Sequence, residues 1–171
     1  TQNNLNDVVI HNTGKGWITG SNGTLLKSND FGFNWTKIEL DIDNDLTKIF
    51  FVTPQYGWFT GNAGTLYKTI NNGYTWENIT LNSDEDITGI CFISANTGWI
   101  SLGGKILKTT DGGENWSVQF NNQNNPIYDL YFISDSKGWA TSSSKIFKTT
   151  DGGENWLSVE TNTTESFTSI Y

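Results

Sequence analysis

Apolar and polar residues alternate along this chain in short runs separated by small polar residues, without long one-sided stripes. Apolar stretches run from Leu5 to His11, Leu46 to Val52, Ile87 to Ile93 and Ile127 to Ile133, and each leads into a Gly-Trp pair, at Trp17, Trp58, Trp99 and Trp139. A Leu/Ile-x-Lys-Ser/Thr run follows, as in Leu66-Tyr67-Lys68-Thr69, and a fourth run starts at a second Trp, as in Trp76-Glu77-Asn78-Ile79. Gly, Asn and Asp crowd between the runs, where they supply positive backbone angles and local side-chain hydrogen bonds. The pattern predicts four short strands per unit and an all-β chain.

The eight Trp fall into two interleaved columns with none left over: Trp17, Trp58, Trp99 and Trp139, then Trp35, Trp76, Trp116 and Trp156. A four-strand unit of about 40 residues, repeated in tandem, is the sequence signature of propeller blades. The expected fold is therefore a β-propeller arc of four four-stranded blades. They span residues 4–41, 45–82, 86–123 and 126–162, with the first strand of a fifth blade at 166–171. A Trp carries roughly 150–250 Å² of surface, so at about 25 cal/mol per Å² each buried ring contributes on the order of 4–6 kcal/mol gross. Two per blade suffice to hold neighbouring blades together. The surplus strand and the apolar edges of an unclosed arc imply further blades of a larger propeller, of about six to eight in all, or pairing with another chain.

Between the third and fourth runs lies Ser/Thr-x-Asp-x-Gly-x-x-Trp: Ser28, Asp30, Gly32 and Trp35; Thr109, Asp111, Gly113 and Trp116; Thr149, Asp151, Gly153 and Trp156. The second copy keeps Thr69, Gly73 and Trp76 but carries Asn71 in place of Asp. A short carboxylate or amide accepts hydrogen bonds from the turn's own backbone, Gly takes a left-handed angle and Trp pins the hairpin. These residues are expected to be structural. The pattern resembles the Asp-box or BNR repeat. The fuller form, Gly-Trp and then Lys-Thr-Thr-Asp-Gly-Gly-Glu-Asn-Trp, is most similar to propellers related to the photosystem II stability and assembly factor. The resemblance covers nearly the whole chain. The same repeat serves assembly factors, sialidases, xyloglucan-type glycoside hydrolases, sorting receptors and bacterial surface proteins, so fold alone does not name a function.

Charge narrows the field. The net charge is −8 and the pI near 4.4, which works against phosphate backbones and anionic lipid surfaces, so nucleic acid is not an expected partner. No apolar stretch approaches the length of a membrane span, and no membrane insertion is expected. All ten basic residues are Lys. The sialidase resemblance would imply an arginine triad and a Tyr nucleophile, and a chain without Arg cannot supply that triad. The assembly-factor resemblance implies a basic, arginine-containing patch for the partner, which is missing for the same reason. Cys91 stands alone, so neither an intramolecular disulfide nor a Cys-based metal site is available within these residues. The chain opens at Thr1 without any Met, which suggests processing or excision from something longer.

Paired carboxylates are what a glycoside hydrolase would need. The candidates are Asp41, Asp43, Asp45, Asp84, Glu85 and Asp86, all in connections between one blade and the next, where they are read first as a solvated rim and next as a cation or polar-ligand site. The alternating Asp41, Asp43 and Asp45 fail the calcium-loop test, because Leu46 and Val52 stand where Gly and Glu are required. No metal or cofactor is expected. His11, the one histidine, aligns with Val52, Ile93 and Ile133 at the end of a core strand and is read as structural, and so are the recurrent Lys27, Lys68, Lys108 and Lys148. The aromatics outside the Trp columns are Phe31, Phe33, Tyr56, Tyr74, Phe120 and Tyr128. Of these, Phe31, Phe33 and Tyr74 occur only in the first two units, where the last two carry Gly or Glu, and Phe31, Phe33, Tyr56 and Tyr74 join the acidic residues as candidate binding positions.

The reading reached is a non-catalytic binding or scaffolding propeller module with a protein or glycan partner. It is expected to be secreted or at the cell surface of a bacterium, as the Asn-rich, Arg-free, Thr/Ser-rich composition suggests. The alternatives are a fragment of a propeller glycoside hydrolase and, third, a chaperone like the photosystem assembly factor.

Overall fold

A computed structural model describes residues 1–122, 125–162 and 165–171, and these form four antiparallel four-stranded sheets without any helix. The first sheet holds β1 (Leu5–Ile10), β2 (Gly16–Gly20), β3 (Thr24–Ser28) and β4 (Thr36–Ile38). The second holds β5 (Leu46–Phe51), β6 (Gly57–Gly61), β7 (Leu66–Thr69) and β8 (Glu77–Asn78). The third holds β9 (Ile87–Phe92), β10 (Gly98–Leu102), β11 (Lys105–Thr109) and β12 (Ser117–Asn121). The fourth holds β13 (Ile127–Phe132), β14 (Gly138–Ser142), β15 (Ile146–Thr149) and β16 (Leu157–Val159). In every sheet each strand pairs with the next in the chain. The expected end of the third repeat, residue 123, lies outside the described residues.

The opening strands stop one residue short of the apolar runs. The amides of His11, Val52, Ile93 and Ile133 instead close tight turns onto the carbonyls of Lys15, Tyr56, Thr97 and Lys137, at 2.8, 3.1, 3.0 and 3.0 Å. Past the ladder Ile93 still packs against its core and His11 against Trp17 and Phe51, whereas Ile133 is exposed.

The chain divides into two compact units, Thr1–Asp86 and Ile87–Tyr171, of two sheets each. In the first unit the core is Trp17, Leu25, Leu46, Ile49, Phe51 and Phe59, with Trp76 and Tyr67 against it. In the second it is Cys91, Trp99, Ile106, Ile127, Leu130, Phe132, Ala140 and Phe147, with Phe120 and Trp156 against it. Each core is an aromatic joint between two sheets. Trp17 stacks on Phe51 with ring centroids 4.2 Å apart, and Trp99 on Phe132 at 3.6 Å.

Register explains the recurrent lysines. Each Gly-Trp Trp sits directly across from the Lys of the next strand: Trp17 from Lys27, Trp58 from Lys68, Trp99 from Lys108 and Trp139 from Lys148. Three of these ammonium groups lie over the ring of the paired Trp, at 5.7 Å for Lys27, 5.2 Å for Lys108 and 5.8 Å for Lys148. The alkyl stem covers apolar surface while the charge meets the ring's electron-rich face.

Candidate functional site

The Asp-box turns are built around a hydroxyl and a carboxylate. In the fourth sheet the Thr149 hydroxyl donates to Asp151 Oδ1 at 2.8 Å and accepts the amide of Gly153 at 2.9 Å. Asp151 then accepts the backbone and side-chain amides of Asn155 at 2.9 and 2.8 Å. Ser28, Asp30 and Asn34 repeat the network, as do Thr109, Asp111 and Asn115. Asn71 reproduces the backbone bond to Thr75 at 3.0 Å, and its amide nitrogen donates to the Thr75 hydroxyl. The glycines that follow, Gly32, Gly73, Gly113 and Gly153, all have positive φ. Asn34, Asn115 and Asn155 were not singled out in the sequence, although Asn precedes the second Trp in three of four copies, and that recurrence was the available signal.

These bonds favour the ionised carboxylate. The backbone and side-chain amides of Asn115 and the Thr109 hydroxyl bring Asp111 down from 3.8 to about 2, and Asn155 with Thr149 does the same for Asp151. Asp30 is lowered too, chiefly by the Asn34 side chain. A carboxylate held so low, with its oxygens engaged by its own turn, is a poor general acid or base near neutrality.

Two of the six candidate acids on the connections serve turns as well. Asp45 Oδ1 accepts the amide of Asn22, and Asp86 Oδ1 that of Ala63, both at 2.9 Å. Asn22 and Ala63 each have φ of 51°, so the carboxylates fasten left-handed hairpin turns that no glycine occupies at that position. Asp41, Asp43, Asp84 and Glu85 are exposed, with Asp84 on the rim of a shallow cavity that Asn78, Ile79, Thr80 and Asn82 also line. Among the described residues no group of three His, Cys, Asp or Glu side chains is arranged to hold a metal ion. His11 lies edge-on to Trp17 and Phe51, its Nε2 is buried without a hydrogen-bond partner, and burial lowers its pKa. Burial likewise pushes the Cys91 thiol up to about 11.

The aromatic candidates separate. Tyr74 lies under Lys27, whose Nζ is 4.2 Å from the ring centroid and donates to the Asn72 carbonyl at 3.0 Å, and the ring is otherwise solvent-facing, 74% exposed. Tyr56 is half-buried, Phe120 packs on Phe147 and Trp156, and the Tyr128 hydroxyl meets that of Ser143 at 3.4 Å. Phe31 and Phe33 are solvent-facing, 60% and 86% exposed. Phe31 holds a left-handed backbone with φ of 60°, where the third and fourth sheets carry Gly112 and Gly152. They flank an apolar strand face formed by Leu5, Val8 and Ile10, which are 50, 56 and 47% exposed. The equivalent triplets are at most 8% exposed: Leu46, Ile49 and Phe51; Ile87, Ile90 and Phe92; Ile127, Leu130 and Phe132.

Among solved structures the chain resembles YCF48 bound to D1 peptide, at 19% identity and a TM-score of 0.65, covering 92% of this chain and 68% of that one. It also resembles an ancestral GH74 enzyme at 16% identity and a TM-score of 0.79, and a GH74 enzyme of Niastella koreensis at 17% and 0.72. It covers 93% and 90% of itself there but spans only 24% and 30% of those enzymes. At such identities the likeness speaks to the fold, and the four sheets are β-propeller blades. No curated protein sequence matches. The family model described as photosynthesis system II assembly factor YCF48 matches residues 1–69 and 31–170, which together take in nearly the whole chain and all four repeats, and the protein belongs to that family.

Proposed function

We propose that this protein is a non-catalytic binding module that engages a protein partner through the aromatic Asp-box turns of its first two sheets. The observation that carries the reading is the solvent-facing Phe31, Phe33 and Tyr74, which are 60, 86 and 74% exposed, on turns where the third and fourth sheets carry Gly112, Glu114, Gly152 and Glu154. Contiguous exposed apolar surface of this kind marks interaction sites, and aromatic side chains are favoured anchors in them. Membership of an assembly-factor family supports a protein rather than a glycan as partner, and a YCF48 structure with a bound D1 peptide supports peptide recognition by this fold. The engaged, strongly acidic Asp-box carboxylates support a role without catalysis. The Arg-free composition and the abundance of Asn, Thr and Ser support placement outside the cell or on a bacterial surface.

The test is binding of the purified chain to peptide and glycan arrays, compared with Phe31→Ser and Phe33→Ser. Both side chains are solvent-facing, so the variants should keep the unfolding midpoint within the small range of ordinary surface changes, about 0.5 kcal/mol. Loss of peptide capture in both is expected. Hydrolysis of xyloglucan by the chain, or capture indifferent to both substitutions, would overturn the reading.

A further inference from the structure

The first unit sorts its charges by the ends of its strands. In each of its sheets the turn after the opening strand and the Asp-box turn share one end: the Phe31 amide donates to the Gly14 carbonyl at 2.7 Å and the Asn72 amide to the Gln55 carbonyl at 3.0 Å. The acidic connections fall at the other end, where Asp45 and Asp86 accept the amides of Asn22 and Ala63 in the turns between strands two and three. An acidic chain thus keeps six of its carboxylates, Asp41, Asp43, Asp45, Asp84, Glu85 and Asp86, on connections away from its Asp-box end.

At the Asp-box end two ammonium groups of the first sheet converge on one residue of the second. Lys27 Nζ donates to the Asn72 backbone carbonyl at 3.0 Å. The Asn72 side chain, with its amide nitrogen donating to the Pro54 carbonyl at 3.1 Å, turns its oxygen to Lys15 Nζ. Both cations lie over the Tyr74 ring, 4.2 and 5.9 Å from its centroid. Among the described residues neither has a carboxylate partner. Asp30, on the adjoining turn, has its oxygens engaged by Ser28 and Asn34. Burial lowers the pKa of Lys27, and the Lys15 charge adds to the effect. Two charges that repel each other are therefore held side by side by uncharged groups.

The corresponding positions of the second unit carry their own balance. Thr97 takes the place of Lys15, since it closes the turn onto Ile93 as Lys15 does onto His11. Glu154 takes the place of Tyr74, three residues beyond the Asp-box Asp or Asn. One lysine, Lys108, and one carboxylate stand there, against two lysines and a ring in the first unit. The first unit has exchanged its carboxylate for an exposed aromatic surface, and Phe31 adjoins it: its ring packs on Gly14, next to Lys15, where an added Cβ would lie 3.0 Å from the ring. Taking the aromatic turns of the first two sheets as the binding surface, we propose that the partner is an acidic peptide segment in which a carboxylate side chain neighbours an apolar one. The carboxylate meets the half-buried Lys15 beside Tyr74, with the buried Lys27 supplying a second positive charge behind it, and the apolar side chain lies on Phe31 and Phe33. The partner thus restores the charge that Glu154 provides in the second unit, and complementarity of this kind selects among partners.

The probes are two short capped peptides of alternating Glu and Phe, identical except that the second carries Gln for every Glu. Fluorescence anisotropy with the full chain should show the Glu peptide bound roughly tenfold more tightly than its Gln twin, the worth of a hydrogen bond to a charged group. Lys15→Gln should bring the twins to equal affinity, and so should Tyr74→Glu, which supplies the missing carboxylate from within the chain. Both changes should leave the unfolding midpoint unchanged, and Lys15→Arg should keep the preference. Phe31→Ser and Phe33→Ser should weaken both twins alike and preserve their ratio. Equal affinities in the native chain, a preference that survives Lys15→Gln, or binding of polygalacturonate but of neither peptide would each overturn the proposal. If the twins bind equally and both are lost with Phe33→Ser, the carboxylate preference fails and the aromatic surface stands. If neither twin binds and peptide arrays capture nothing, both fail.

Discussion

The joint in the first unit and the joint in the second are made by the same device with different hydrogen-bond donors. In the second, the indole Nε1 of Trp99 donates to the Gly152 carbonyl at 3.0 Å, and the ring lies almost parallel to Phe132, with 5° between the planes. In the first, Lys27 donates to the equivalent carbonyl, that of Asn72. There the Trp17 Nε1 is buried without a partner, and the Trp17 and Phe51 planes are 26° apart. A carbonyl at a left-handed turn position needs one donor, and whichever of Trp or Lys supplies it releases the other. In the first unit the released group is a buried indole N–H, an uncompensated cost of about 1–3 kcal/mol. Shape is conserved between the joints, whereas polar satisfaction is not.

The largest effects come from truncating the joints. Trp99→Ala should cost about 3–5 kcal/mol as a large-to-small core change, and Trp17→Ala a comparable amount, both read from denaturant unfolding. The comparison sharpens with Phe. Trp99→Phe strips the Gly152 carbonyl of its donor and should lose about 1 kcal/mol more than Trp17→Phe, which removes an N–H that has no partner. An equal loss at both sites would mean the bond to Gly152 contributes nothing.

Next in size are substitutions at the left-handed position itself. Asn72 tolerates φ of 65°, but at Gly152, with φ of 76°, an added Cβ would lie 2.5 Å from the Asp135 carbonyl oxygen and 2.9 Å from Lys108 Nζ. Gly152→Asn should therefore cost about 1–3 kcal/mol, while Asn72→Gly should be close to neutral. If the two exchanges are equally mild, packing between the third and fourth sheets is looser than the contact distances indicate.

How far this was legible from residues alone follows from the same contrast. Period-two runs, turn residues and the two Trp columns announced the strands and blades, because backbone pairing and aromatic burial leave a periodic mark on composition. The choice between Lys27 and Trp99 as donor left no such mark, because both units carry both residues and only packing decides. Tyr74 and Phe33 looked equivalent in sequence. Both face solvent, at 74 and 86% exposure, but only Tyr74 has lysines over its ring, Lys27 at 4.2 Å and Lys15 at 5.9 Å from the centroid. Asp45 and Asp86 resembled ligand-gathering acids, but they bond across the connection to turn amides 23 residues earlier in the chain, a separation that local motifs do not encode.

Acid should also distinguish the units. Asp111 and Asp151 in the second unit have native pKa values of about 2 against an ordinary 3.8, whereas the first unit has one lowered carboxylate, Asp30, and an amide, Asn71, that does not titrate. A depressed native pKa gives stability that is complete above the ordinary value and is lost as pH falls toward the native one. Thermal melts taken from about pH 5 to about pH 2 should show stability falling over that window. Asp111→Asn and Asp151→Asn should flatten the fall, since Asn71 shows that an amide can fill the position. Unchanged pH dependence in the double variant would shift the acid sensitivity to other carboxylates.

The smallest effect expected is at Lys27, and it tests the exchange of donors most directly. Burial, with the Lys15 charge behind it, lowers the pKa of this lysine, so its ammonium is held in place by the Asn72 carbonyl and the faces of Tyr74 and Trp17 at some electrostatic cost. Lys27→Met keeps the stem against the ring and removes both the charge and the donor. The carbonyl it leaves lies beside a turn in which the unpartnered Trp17 Nε1 approaches Gly73, where an added Cβ would sit 2.5 Å from that nitrogen. A small shift lets the indole donate as Trp99 does, so the net loss should stay below about 1 kcal/mol, less than an unreplaced hydrogen bond to a charged group would cost. Indole N–H chemical shifts would report the new bond, with the Trp17 resonance moving toward that of Trp99. A loss above about 2 kcal/mol with no such movement would show that the first joint is locked to its lysine and that the two arrangements are not interchangeable.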